Sequence, residues 1–96
     1  MRSGPDGRLV LSGELSYETV VRVRGEAESL LEGAESIQVD LQDISRSDSA
    51  GLALLVDWMR TAKRLGKAIQ FLNIPQQMLA IARVSGLDEV LPLARG

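Results

Sequence analysis

The chain has 96 residues, a formal charge of −2 from 11 Lys and Arg against 13 Asp and Glu, and neither cysteine nor histidine. Its length suits one domain, and the two missing residue types exclude disulfides, thiolate and ordinary zinc sites, and imidazole acid–base chemistry. No run approaches the roughly 18 apolar residues of a membrane span, the amino terminus lacks a signal-type apolar core, and three aromatics without a basic cluster offer nucleic acid little to hold. This composition reads as a cytoplasmic domain with no nucleic-acid partner, no metal and no membrane span of its own.

Residues 1–7 mix glycine, proline and charge and predict a flexible leader that turns at Asp6-Gly7. A strand from Arg8 to Ser12 follows and breaks at Gly13-Glu14-Leu15. Ser16 is placed to cap a helix running to about Leu31, with Glu18 in its first turn. Val20, Val23, Ala27, Leu30 and Leu31 make its apolar stripe, while Arg22, Glu26 and Glu28 take wetter positions and Gly33 ends it. The next strand, Ile37 to Leu41, alternates Ile37, Val39 and Leu41 with Gln38 and Asp40 and hands over to a short polar connection.

The longest apolar element is a helix from about Ala50 to Leu65. Leu52, Leu55, Met59 and Ala62 share one face, with Leu54, Trp58 and Leu65 beside them and a narrow polar strip at Asp57, Arg60 and Arg64. Gly66 closes it, and a third strand spans Ala68 to Leu72. Pro75 suits the first turn of a helix over Gln76 to Val84, stopped by Ser85-Gly86. Leu87 to Leu93 closes the chain with a short strand or turn around Val90 and Leu91. Alternating strands and helices predict an α/β sheet with parallel neighbours joined by right-handed crossovers, the helix after Ser49 packing centrally.

Function concentrates at Ser47-Asp48-Ser49-Ala50-Gly51-Leu52, where a strand gives way to a helix. Asp48 can cap the helix, either as a purely structural cap or to hold the loop for a partner, and Ser49 is an alternative cap or a displayed hydroxyl. Gly51 permits close approach of backbone or partner. A serine nucleophile needs a base, and Lys63 and Lys67 lie more than three turns from Ser49, so no catalytic residue is assigned. Asp40, Asp43 and Asp48 show no sign of a paired-carboxylate cleft, and no phosphate-binding glycine motif is present, so no cofactor is expected. Trp58 is either core or an interface anchor rimmed by Arg60, Thr61 and Arg64. In the last helix, Met78, Ala82 and Ser85 form one ridge and Leu79, Ile81 and Val84 others; either the closing segment covers the outer side or an apolar strip awaits a partner.

The run Ile37-Gln38-Val39-Asp40-Leu41, then Ile44-Ser45-Arg46-Ser47-Asp48-Ser49-Ala50-Gly51-Leu52-Ala53-Leu54-Leu55, resembles the STAS domain family, typified by bacterial anti-sigma factor antagonists. The likeness extends from Leu9-Val10-Leu11-Ser12-Gly13-Glu14-Leu15 to Leu91-Pro92. It implies a STAS fold over residues 8–93, a mixed sheet of about four strands with helices mainly on one side, and a tail at 94–96. Leu79-Ala80-Ile81-Ala82-Arg83 and Val90-Leu91-Pro92 look like the branch serving Mla-type phospholipid-transport ABC systems in Gram-negative bacteria. That branch implies a non-catalytic, cytoplasmic subunit, peripheral at the inner membrane, that binds the ATPase and through it the permease and so maintains outer-membrane lipid asymmetry. Ser49 matches the hydroxyl position phosphorylated in sigma-pathway members, Asp48 the acidic residue before it, and the implied partner surface is Ser47, Asp48, Ser49, Ala50, Gly51, Leu54 and Trp58. Phosphorylation at Ser49 would mark the alternative, an anti-sigma factor antagonist. Ala50 stands where the family often has glycine or a second hydroxyl residue, and the short leader implies a frayed or missing edge strand. An exposed apolar face also predicts self-association of the isolated chain.

Overall fold

The computed structural model describes residues 2–3, 8–33 and 35–94; nothing follows for the side chains of residues 2–3 and 28–32. Five strands form one sheet in the order β1-β2-β3-β4-β5. They are β1 (Arg2–Ser3), β2 (Leu9–Leu15), β3 (Ser36–Ser47), β4 (Ala68–Leu72) and β5 (Leu93–Ala94). β1 runs antiparallel to β2, and the other neighbours are parallel. The helices α1 (Val20–Gly33), α2 (Ser49–Arg64) and α3 (Gln76–Val84) fill the crossovers. Parallel strands taken in sequence order with right-handed crossovers put every helix on one face.

The core lies between that face and the helices. Leu9, Leu11, Leu15, Ile37, Val39, Leu41 and Phe71 point into it from the strands. α2 contacts α1 on one side and α3 on the other while it covers the sheet, which explains its broad apolar surface: Leu52, Leu54, Leu55, Trp58 and Ala62 are all buried. Trp58 is 2% exposed and belongs to the core. Across the sheet, Val10, Asp40 and Leu72 stand in register. Asp40 is buried, and its carboxylate accepts from the Gln42 amide at 3.0 Å and Asn73 Nδ2 at 3.2 Å and pairs with Arg8 at 3.6 Å.

Several boundaries differ from the sequence expectations, each for a physical reason. β2 and β3 run on past Ser12 and Leu41 because they pair with each other, Gly13 opposite Ile44 and Leu15 opposite Ser47, with two register shifts that absorb the extra β3 residues. The turn over residues 16–19 delays α1 to Val20, and Ser16 does not cap it: the Ser16 amide donates to Thr19 Oγ1 at 3.0 Å, while the buried Ser16 Oγ has no hydrogen-bond partner among the described residues. Leu65 is the residue that ends α2 and is 45% exposed, outside the buried face. Gly66, at φ 70, follows with Schellman-type bonds from its own amide to the Lys63 carbonyl and from Lys67 to Ala62.

Pro75 sits one position before the first turn of α3 as its amino-terminal cap residue. The closing segment covers part of α3, with Leu91 in the core, through a 3₁₀ turn at Leu87–Glu89; the strand comes after Pro92, at Leu93–Ala94, not at Val90 and Leu91. Ala94, expected in the tail, pairs with Leu72. Of the frayed or missing edge strand expected, a two-residue strand is present: Arg2 and Ser3 pair with Val10 and Leu9. The Asp6-Gly7 turn and the side chains of Glu28, Leu30 and Leu31 lie outside the described residues.

Candidate functional site

Parallel strands carry their carboxyl ends to one rim of the sheet, and the amino termini of α1, α2 and α3 gather there. Such a rim is where open α/β sheets display polar groups. β3 delivers Ser47, Asp48 and Ser49 to its centre. Asp48 adopts extended geometry before α2, and its Oδ1 accepts from the amides of Ala50 at 2.9 Å and Gly51 at 3.4 Å. Its other oxygen, Oδ2, accepts from the Tyr17 amide at 3.1 Å. One carboxylate thus caps α2 and ties it to the β2–α1 turn.

The Tyr17 amide, followed by those of Ala50 and Gly51 and the Arg46 guanidinium, holds the Asp48 carboxyl below the ordinary aspartate value, against an opposing push from partial desolvation. Arg46 itself extends outward, 3.8 Å from Glu14. Ser49 begins the helix and is exposed. A second tie comes from α3, where Gln77 Oε1 accepts from the Ser47 amide at 3.4 Å.

Gly51 is buried against the end of β2. A Cβ there would lie 2.5 Å from the Leu15 carbonyl oxygen and 3.1 Å from Leu15 Cγ. The close approach that its sequence position suggested is therefore made by the chain's own backbone.

The seven residues singled out from the sequence divide sharply by accessibility. Ser49 is exposed, Asp48 and Ala50 are half-buried, and Ser47, Gly51, Leu54 and Trp58 are buried. Leu54 and Trp58, at 3% and 2% exposure, are buried because α2 is flanked by two helices; Trp58 belongs wholly to the core, and Leu54 shows only an edge, at the bottom of the groove between α1 and α2. The sequence reading missed Tyr17 and Val21, each 80% exposed, and the exposed Ala53. Val20, Val21, Ala50, Ala53 and Leu54 line a shallow groove of about 280 Å³ between α1 and α2, crossed by the Arg24–Asp57 ion pair at 3.3 Å. The bond from Tyr17 to Asp48, across 31 positions of sequence, brings the β2–α1 turn to this site, and the Arg24–Asp57 pair brings α1 itself.

Chemically, the corner can present a hydroxyl in a fixed place. Lys63 lies fourteen residues along α2 from Ser49, about 21 Å at 1.5 Å per residue, too far to activate it. Among the described residues no group of three Asp, Glu, His or Cys could hold a metal, and no helix is long and apolar enough to cross a membrane. A rim that displays the Ser49 hydroxyl beside the exposed Tyr17, Val21 and Ala53 suits contact with another protein.

The chain belongs to the STAS domain family: the family model described as "Mlab, STAS domain" matches residues 2–93. It is 31% identical over 85 residues to the intermembrane phospholipid transport system binding protein MlaB of Haemophilus influenzae, covering 84% of this chain and 81% of that protein. It is 21% identical over 89 residues to the anti-sigma-B factor antagonist of Bacillus subtilis, covering 93% and 82%. The anti-sigma factor antagonist SpoIIAA in its unphosphorylated form shares the fold, with a TM-score of 0.69 and 23% identity over 88% of this chain and 76% of that one.

Proposed function

We propose that this chain is the non-catalytic STAS subunit of an Mla-type phospholipid-transport ABC complex, where it binds the ATPase subunit and supports assembly and activity. The observation that carries this reading is the greater identity to the phospholipid-transport binding protein than to the anti-sigma-B factor antagonist. In this role Ser49 is the contact hydroxyl. Asp48 and Gly51 hold its helix against β2, Ala50 lies beside it on the contact face, and Ser47, Leu54 and Trp58 support from beneath. The subunit works without a cofactor, at the cytoplasmic side of the inner membrane, reaches the permease only through the ATPase, and thereby serves outer-membrane lipid asymmetry.

The exposed Ser49 hydroxyl favours a second reading, an anti-sigma factor antagonist switched by phosphorylation. A phosphoryl group there would add about two negative charges next to Asp48, enough to mismatch a surface fitted to a neutral hydroxyl. Affinity capture from the native membrane fraction, read by mass spectrometry, separates the two. The transporter reading expects an ABC ATPase with Ser49 unmodified; recovery of a serine kinase, with phosphate on Ser49, would replace it by the second.

A further inference from the structure

Between α3 and the edge strand β5 lies an open groove of about 980 Å³ that takes no part in the Ser49 site. Among the described residues it is lined by the aliphatic Ile74, Leu79, Ala80, Leu93 and Ala94 together with Asn73 and Gln76, and Arg83 is the one charged group. Arg83 is exposed and makes no ion pair among the described residues. Gln76, Leu79, Ala80 and Arg83 follow helical spacing, so they form one stripe along α3, about 10 Å long at 1.5 Å per residue. An extended chain covers that distance in about three residues.

The backbone of β5 suits the same kind of occupant. The Pro92 and Ala94 carbonyls accept from the Phe71 and Asn73 amides of the β4 side. Alternation along a parallel strand then turns the Leu93 carbonyl outward, while the Leu93 amide is already spent on Leu91. Among the described residues the edge therefore offers one acceptor beside aliphatic side chains and the exposed Arg83. A lipid acyl chain would need enclosure, which an open groove does not provide. A peptide needs only an edge, a pocket for alternate side chains and a charge partner.

We propose that the α3–β5 groove docks an extended partner segment, which lays one or two aliphatic side chains against Leu79 and Leu93 and pairs a carboxylate with Arg83. This surface is separate from the Ser49 corner, and its occupant is an extended aliphatic segment that carries a carboxylate.

The test is a titration of the full ¹⁵N-labelled chain, followed by NMR, with the blocked hexapeptide Ac-Ser-Val-Ser-Val-Glu-Ser-NH2 and its Gln and Lys counterparts. Saturable shifts at Ile74, Leu79, Leu93 and Ala94 are expected, with the Glu peptide binding about fivefold more tightly than the Gln peptide, as an exposed ion pair allows. Arg83→Glu should keep the parent's melting temperature, since the side chain is exposed, and reverse the preference toward the Lys peptide. No shifts at millimolar peptide, equal affinity for all three peptides, or shifts mapping to Ser49 and Tyr17 would each overturn the proposal. So would the same shifts arising on concentration of the protein alone, which would assign the groove to a second copy.

Discussion

Replacing Gly51 by alanine sets two effects of opposite sign against each other. Gly51 lies within the first turn of α2, and helix propensity alone would make Gly→Ala favourable by up to about 1 kcal/mol. The added methyl, however, would lie 2.5 Å from the Leu15 carbonyl oxygen, a backbone atom, and 3.1 Å from Leu15 Cγ. Neither side can retreat freely. Leu15 is fully buried and paired with Ser47, and the start of α2 is tied through Asp48 to Tyr17. Because the near atom is a backbone oxygen, the cost falls in the upper part of the roughly 1–3 kcal/mol range for overpacking, about 2–3 kcal/mol, and after the propensity gain the net loss should be about 1–2 kcal/mol, a fall of roughly 5–15 °C in melting temperature for a domain of this size. Gly25→Ala is the matched control, because in α1 a Cβ meets nothing within 4 Å; propensity alone should raise its melting temperature by a few degrees. Circular-dichroism melts of the two variants decide the question. A Gly51→Ala protein as stable as the parent, or stabilised like Gly25→Ala, would refute the close packing of α2 on the end of β2.

Trp58→Ala should lose roughly 3–5 kcal/mol, the range for deleting a buried aromatic, and populate unfolded protein in urea well below the parent's midpoint; an unchanged midpoint would contradict its place in the core. Ser49→Ala and Ser49→Glu should both melt within about 3 °C of the parent, because the side chain is exposed and substitutions at such sites stay within about 0.5 kcal/mol; a large loss would mean the hydroxyl is structural. Because the folded Asp48 carboxyl titrates below the ordinary value of 3.8, its stabilising contribution is present above that pH and fades as pH falls through the folded pKa. The stability gap between parent and Asp48→Asn should therefore narrow on going from neutral pH to about pH 3, and a gap in urea midpoint independent of pH would remove the charged cap from the explanation.

The fold class was readable because hydrophobic periodicity switches cleanly between strand and helix. The approximate α3 span, Gln76–Val84, was readable because Pro75 and Ser85-Gly86 bracket it, although Pro75 is its cap and not in its first turn. What escaped depends on partners distant in sequence. Nothing local says that Gly13 and Gln42 to Ser47 remain in strands, because their pairing is with one another. Ser16 looked like a cap, yet the turn over residues 16–19 moves the helix start beyond it. At the candidate site, Asp48 as cap and Ser49 as displayed hydroxyl follow from their place at a strand-to-helix corner. The burial of Trp58 and Leu54 does not, since an amphipathic pattern gives the width of an apolar face but not whether a neighbouring helix or another protein covers it. Here α1 and α3 cover it, and Ser49, Ala53, Tyr17 and Val21 are among the exposed groups left at the rim.

The most direct measurement is a calorimetric titration of the proposed partner, an Mla-type ATPase subunit, with the parent chain, Ser49→Ala and Ser49→Glu, each first shown to be folded. A partner surface centred on Ser49 predicts tight binding by the parent, and a loss of at least tenfold for Ser49→Glu, equivalent to about 1.4 kcal/mol or more, from a charge placed against a surface fitted to a hydroxyl. Equal affinity of all three proteins, or no binding by the unmodified parent, would contradict it.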